Sequence, residues 1–212
     1  MGQAGPIGML YIRGYNFLKR AADIIISLLG IILLSPLFVV AAVLIKIDSK
    51  GPFIFKQIRV GQDSRHFLFY KFRTMRHGSE RLKDSLRHLS DVDGPVFKIK
   101  KDPRITRIGK FLRKSSMDEL PQLFNVLKGD MTLVGPRPPL PEEVKKYGRR
   151  ELKRLSVKPG LTGLWQVSGR NDISFLEWVE LDLYYIEHRS LMLDLKILIS
   201  TIPAVLSGKG AY

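Results

Sequence analysis

Hydrophobic and polar positions divide this chain early. Ile24 to Ile45 is an uncharged, mostly apolar run of 22 residues. As a straight helix it would be about 33 Å long, against a bilayer core of about 30 Å. Ser35-Pro36 interrupts it near the middle. A proline inside a helix removes a backbone hydrogen bond and clashes with the preceding turn, so the pattern predicts a kink or break there. Each half is then about 15–18 Å long, enough to enter one leaflet and return. Cations flank both ends: Lys19 and Arg20 before, Lys46, Lys50, Lys56 and Arg59 after. Positive residues prefer the cytoplasmic side. A re-entrant helix-break-helix satisfies both flanks, and the sequence favours it over a proline-kinked straight span. The run is too long for a secretory signal, and no A-x-A-like site follows it.

Beyond the run the pattern changes to short elements. Residues 1–15 read as a Gly-containing lead-in, 16–47 as the membrane helix pair, and 48–212 as one cytoplasmic, membrane-associated domain. Gly51-Pro52 breaks the chain. Phe53 to Val60 and Phe67 to Phe72 read as two strands of a hairpin around Gly61-Gln62-Asp63. Glu80 to Leu89 reads as a polar helix, Asp93-Gly94-Pro95 as a loop, and residues 104–128 as helical, closed by Gly129-Asp130. Gly135 to Pro141 is too rich in proline for helix or central strand. Glu142 to Ser156 reads as a basic amphipathic helix and Pro159 to Arg170 as a Gly-containing loop. Ser174 to Arg189 reads as a helix. Leu191 to Leu206 is an apolar amphipathic helix, which either lies in the membrane interface or covers the core. The fold class is therefore α/β and mostly helical. It combines a re-entrant membrane helix pair with a small compact domain that carries one β-hairpin and amphipathic interfacial helices.

Charge narrows the partners. Lys and Arg number 35 against 20 Asp and Glu, a net charge of +15. Such a balance implies an anionic partner: nucleic acid, acidic lipid or a phosphorylated substrate. With a membrane segment present and no zinc finger, RNP-like motif or basic zipper, membrane lipid and phosphate ligands are expected and nucleic acid is not. The absence of Cys excludes disulfides, a thiol nucleophile and Cys-ligated zinc. The four His residues are scattered, without metal-ligand spacing.

Chemistry concentrates in RKSSMDELPQL, Arg113 to Leu123. Adjacent Asp118 and Glu119 cannot point the same way, which suits two different tasks. Ser115 and Ser116 stand at N-cap spacing and Pro121 favours a first helical turn. There the macrodipole keeps carboxylates ionised, and free backbone N–H groups favour phosphate. An ionised Asp among phosphate-binding groups is a candidate nucleophile toward phosphorus. The plainer reading is an acid pair that only caps a helix. From Arg76 to Lys114 there are twelve Lys or Arg against five Asp or Glu, which favours phosphate chemistry. Arg113, Arg137 in VGPRP, and Lys71 and Arg73 in YKFRTM are the cations expected to bind phosphate. A pyrophosphate substrate usually brings Mg²⁺.

The strings KFRTM, DPRITRIGKFLRKSSMDELPQLFNVLKGDMTLVGPRP and KPGLTGLWQVSGRND, in that order, resemble the bacterial sugar transferase family of monotopic polyprenyl-phosphate phosphoglycosyl transferases. The resemblance runs from about Asn16 to the C-terminus. It implies transfer of a sugar-1-phosphate from a UDP-sugar to undecaprenyl phosphate, giving undecaprenyl diphospho-sugar and UMP, as the first step of polysaccharide or glycoconjugate assembly. It implies a bacterial inner-membrane enzyme on the cytoplasmic face, working by a ping-pong mechanism. In it Asp118 forms a covalent phosphosugar intermediate, Glu119 helps hold Mg²⁺, and Arg113 and Arg137 bind phosphate. Lys71 and Arg73 then bind phosphate or lipid headgroup, and Gly163 to Arg170 bears on nucleotide or sugar. The LWQVSGRND wording looks like members that handle galactose or glucose phosphates. Larger members carry a preceding transmembrane bundle. This chain resembles the short form, or a piece of a longer one.

Two rival readings remain at this stage. One is a glycosyltransferase using Asp91-Val92-Asp93 as a metal-binding D-x-D, which would release a nucleoside diphosphate. The other is a non-enzymatic basic membrane adaptor, which leaves the Asp-Glu pair without a task. No feature of the sequence fixes an oligomeric state.

Overall fold

The computed structural model describes residues 6–91, 94–97, 99, 101–169, 173–208 and 210, with side chains from residue 14 onward except Arg87. Of the D-x-D candidate, Val92 and Asp93 lie outside the described residues, as do Arg170 and residues 1–5.

Two helices open the chain, α1 (Pro6–Leu33) and α2 (Ser35–Asp48). Helix α1 starts well before the expected Asn16, taking in much of the lead-in. The two helices meet at Leu34 with a bend of 60°. The cause is local. Pro36 has no N–H for the carbonyl of Ile32, and the Ser35 hydroxyl donates to that oxygen instead at 2.8 Å. No single helix among the described residues is long and apolar enough to cross a membrane, and the bent pair passes that test only jointly. Phe17, Leu29, Ile32, Leu33, Val39 and Ile47 on its outer side are exposed, whereas Tyr15, Asp23, Ser27, Ala41 and Ile45 face inward.

Polar bonds fix this pair to the domain. Arg20 donates to the carbonyls of Val126 and Leu127 at 2.6 and 2.7 Å, at the C-terminal end of α4 (Gln122–Lys128), where a cation also meets the helix dipole. Asp23 accepts from Thr132 Oγ1 at 2.7 Å and Leu133 N at 3.0 Å. Lys19 pairs with Asp194 at 2.7 Å. Lys19 and Arg20, which the sequence offers as cytoplasmic flank charges, are thus held by protein partners.

The hairpin forms as expected: β1 (Ile54–Val60) pairs antiparallel with β2 (His66–Phe72), from Ile54 opposite Phe72 to Val60 opposite His66. A second sheet was not foreseen. The segment β3 (Thr132–Val134) pairs in parallel with β4 (Gly160–Thr162), inside the stretch read as a loop. Gly135 N donates to Thr162 O and Gly160 N to Pro136 O at 2.9 and 2.8 Å. A Cβ on Gly160 would overlap the backbone of Gly135, so only glycine permits this approach.

Three further expectations change. The helical stretch around the dyad is broken into α3 (Arg107–Lys114), a 3₁₀ turn Met117–Glu119 and α4. Ser116, at φ 55°, turns the corner between them in a left-handed conformation that costs a non-glycine residue about 1–2 kcal/mol. Glu80 to Leu89 supplies only two 3₁₀ turns. The expected helix over 142–156 is split into α5 (Pro141–Val144), α6 (Arg149–Leu152) and a 3₁₀ turn Lys153–Ser156, interrupted by Gly148, which caps α6 in an extended conformation.

The remaining helices are α7 (Leu164–Ser168), α8 (Phe175–His188) and α9 (Leu191–Ser207). Ser174 and Glu177 form a capping box at the start of α8. The main core gathers Phe69, Leu123, Val126, Met131, Leu133, Val134, Tyr185 and Ile197. A second cluster of Ala41, Ile45, Phe72 and Leu112 seals α2 against β2 and α3.

Candidate active site

The hairpin builds one wall of the site through strand alternation. Phe55, Gln57 and Arg59 on β1 stand opposite Lys71, Phe69 and Phe67 on β2, so these positions share a face. All but Phe67 line a cavity of about 880 Å³. The dyad turn, the Arg137 loop after β3, Trp165 and Gln166 of α7, and Thr201 and Ile202 of α9 close the rest. The cavity lining therefore combines cationic groups with apolar side chains of α9.

All six sequence candidates reach this cavity. Lys71 Nζ stands 4.0 Å from Asp118 Oδ2, longer than a hydrogen bond. Arg113 Nε donates to Thr74 Oγ1 at 3.0 Å, which leaves part of its fork available to a ligand. Arg137 lies against the Trp178 ring at 5.9 Å. Trp178 stacks on Trp165 at 4.3 Å and meets the Arg154 guanidinium at 4.8 Å. Arg154 Nε donates to Asp182 at 2.8 Å and Nη1 to the Tyr147 hydroxyl at 2.9 Å, so a paired cation supports the indole behind Arg137. Arg73 differs from the others. Its Nη2 donates to Ser49 O at 2.6 Å and Ser49 Oγ at 2.9 Å, bracing the end of α2 against β2.

The electrostatics correct one expectation. Asp118 is only 6% exposed, and burial raises its pKa above the usual carboxylate range, with Lys71 and Arg113 pulling it back down. The dyad sits on a 3₁₀ turn ahead of α4, and Ser116 makes no side-chain cap there, so the macrodipole does not dominate. Desolvation and the nearby Arg113 lower Lys71 to about 8. Asp118 and Lys71 are thus both shifted toward neutrality, a pattern common at reacting groups.

Among the described residues no group of three or more His, Asp or Glu forms a metal cluster. Mg²⁺ needs no such cage, because one or two carboxylates suffice when substrate phosphates complete its shell. Asp118 and Glu119, adjacent on one turn of the cavity wall, fit that shared mode and not a dedicated protein site.

Sequence reasoning missed Arg59. It reads as a flank cation, yet it is 6% exposed and faces the cavity, its guanidinium over the Phe69 ring at 5.3 Å. The signal was present: with Phe55 opposite Lys71, period-two alternation carries Arg59 to the same face.

Residues 14–208 match the family described as bacterial sugar transferase. The chain belongs to the bacterial sugar transferase family. It is 50% identical over 194 residues to the galactosyl transferase CpsE of Streptococcus agalactiae serotype III, covering 91% of this chain and 43% of that protein. It is 44% identical to the undecaprenyl-phosphate galactose phosphotransferase of Salmonella typhimurium, covering 94% and 43%. Against the exopolysaccharide production protein ExoY of Rhizobium meliloti it is 39% identical, covering 100% of this chain and 92% of that protein. The chain thus spans less than half the length of the first two relatives and nearly the whole of the third.

Proposed function

We propose that this chain transfers a sugar-1-phosphate from a UDP-sugar to undecaprenyl phosphate, releasing UMP and starting polysaccharide assembly. The observation that carries this is the convergence of Asp118 with Lys71, Arg113 and Arg137 in one cavity, in a chain of the sugar transferase family. The names of two relatives, a galactosyl transferase and an undecaprenyl-phosphate galactose phosphotransferase, support galactose as the first sugar to test.

In this reading a carboxylate oxygen of Asp118 attacks the sugar-proximal phosphorus. The new P–O bond forms as the bridging P–O bond breaks, and its electron pair leaves on the phosphate of UMP. An oxygen of the lipid phosphate then attacks the same phosphorus and returns Asp118 as carboxylate. Lys71 and Arg113 hold the oxygens of the phosphorus under attack, and Arg137 receives charge displaced toward the leaving side. Glu119, with the substrate diphosphate, would hold Mg²⁺, which supplies neutralisation of phosphate charge when bound. Burial keeps Asp118 poorly solvated, which favours attack once it is ionised.

The α1–α2 pair enters the cytoplasmic leaflet and returns, so that the cavity meets the lipid phosphate at the membrane surface. The α9 residues Met192, Leu195, Ile199, Ile202 and Leu206, all exposed, lie at the interface. Cysteines placed near Gln3 and at Lys50 should both be protected from an impermeant reagent outside intact cells. Labelling of only one would mean a spanning helix.

The transfer reading is tested by mixing protein with UDP-galactose without lipid acceptor. UMP should appear in a burst of at most one equivalent, with a rapidly trapped protein adduct of one sugar-phosphate. A burst that needs undecaprenyl phosphate would favour direct transfer, and release of UDP would favour a glycosyltransferase.

A further inference from the structure

The cavity wall holds a cation that the mechanism above does not use. Arg59 is buried, yet Nη1 donates only to the Pro138 carbonyl at 3.1 Å. Its Nε is buried without a hydrogen-bond partner. Among the described residues no carboxylate forms an ion pair with it. Burial, and then the nearby Arg137, push Arg59 down to about 10, while Glu143 and Glu119 offset this only in part. Glu143 already accepts from Leu140 N at 2.8 Å.

Two readings compete for such a residue. As a strut, Arg59 ties β1 to the Pro138 loop. One carbonyl needs one donor, however, and neither a charge nor a five-donor fork. Burying a guanidinium without a carboxylate partner beside another cation is unfavourable; the Phe69 ring beneath it offsets part of that cost but leaves the buried Nε without an acceptor. An anion held between Arg59 and Arg137 accounts for the charge, the spare donors and the position on the cavity face.

Resting on the transfer reading, we propose that Arg59 and Arg137 form the subsite for a phosphate monoester dianion. That chemistry is common to the two half-reactions. Nucleoside monophosphate leaves in the first, its bridging oxygen carrying the electron pair of the broken bond. Polyprenyl phosphate attacks in the second, through an oxygen of the same class. Arg59 shares a strand face with Phe55, which stands opposite Lys71, and the charges of Arg59 and Arg137 are felt at Lys71 and Asp118 respectively. One diphosphate can therefore meet both pairs, with the attacked phosphorus beside Lys71 and Asp118 and the neighbouring phosphate turned to Arg59 and Arg137. Planar guanidinium groups suit bidentate contact with phosphate oxygens.

The test uses the full chain in lipid nanodiscs, with Arg59→Met and Arg59→Lys variants, and UMP and undecaprenyl phosphate as separate probes. For wild type, UMP should raise Tm and bind saturably. Arg59→Met should keep or raise the Tm of the ligand-free protein, lose the UMP-induced shift, and bind UMP at least about tenfold more weakly, as loss of a charge-assisted hydrogen bond implies. Arg59→Lys should recover part of the affinity. Equal weakening toward both probes places both phosphates in this subsite. Weakening toward one alone assigns the subsite to that half-reaction. A lower ligand-free Tm with unchanged affinity for both probes would make Arg59 a strut and overturn the proposal, leaving transfer intact if the UMP burst persists. Wild type that neither binds UMP nor releases it from UDP-sugar would overturn both.

Discussion

Two buried acid–cation sets in this protein behave in opposite ways. In one, Arg154 and Asp182 are each 1% exposed in their side chains and meet at 2.8 Å, with the Tyr147 hydroxyl and the Trp178 ring completing the shell. In the other, Lys71 and Asp118 stand 4.0 Å apart, partly open to the cavity, with Arg113, Arg137 and Arg59 around them. The first set is closed, with each charge answered by the protein. The second has cations in excess, while burial raises the acid in both sets, Asp182 to about 6 and Asp118 upward as well. Both hold an acid whose side chain is less than a tenth exposed, so burial alone does not mark a site. What marks it is charge that the protein itself leaves unanswered.

The sharpest way to break the comparison is at the acids. Asp118→Asn should abolish the UMP burst and the adduct, because an amide is a poor nucleophile without charge. A normal burst from this variant would remove Asp118 from the covalent role. Asp182→Asn should act on stability instead, because it leaves Arg154 buried and uncompensated. Denaturant titration should show a loss of about 3–5 kcal/mol, with the burst amplitude per folded molecule preserved. Should Asp182→Asn cost no stability, the closed set is not the brace described here.

A smaller effect is expected at Arg137. Arg137→Ala should slow turnover about 10–100-fold, the loss of one charge-assisted hydrogen bond worth about 1.5–3 kcal/mol. Lysine should restore only part, lacking the planar fork. Turnover near wild type in the alanine variant would show that Arg137 handles no transferred charge.

The smallest effect is a change of pH profile. The burst rate should fall at low pH as Asp118 protonates, at a pH above the usual carboxylate range because burial raises it. It should fall again as pH rises through about 8, where Lys71 loses its charge. Lys71→Arg should shift that upper limb to higher pH at the cost of a few-fold in rate. The same shift has a stability sign. The folded-state value of Lys71 lies below the ordinary 10.5, so the unfolded chain binds more protons between about 8 and 10.5. The contribution of this group to stability therefore rises with pH across that window. An upper limb that Lys71→Arg leaves in place belongs to another group.

These outcomes also bear on what could be read before the structure. The bend at Ser35-Pro36, the hairpin and the α8 boundaries were legible, because each rests on local sequence. Proline chemistry, strand alternation and helical periodicity suffice for them. What was missed depends on partners distant in sequence. The β3–β4 pair needs two glycines that touch only in three dimensions. The dyad helix breaks at Ser116, whose left-handed backbone no residue type announces. Lys19 and Arg20 look like topology signals until Asp194 and the α4 carbonyls are seen to hold them. Arg59 was assigned to the flank by its distance from the apolar run, although its strand parity placed it with Lys71.

The contacts of α1 and α2 with the domain bear on modularity. Arg20 closes the carbonyls of α4, Asp23 holds β3, Asp48 accepts from Ile108 N at 3.0 Å at the start of α3, and Arg73 braces the exit of α2. Each element that frames the dyad thus has one end tied to the hydrophobic pair. An unrelated hydrophobic segment grafted onto residue 49 would match the pair in length and apolarity and still leave α3, α4 and β3 unfastened. No cut between the α1–α2 pair and the rest of the domain leaves these bonds intact, and the two must be inherited together.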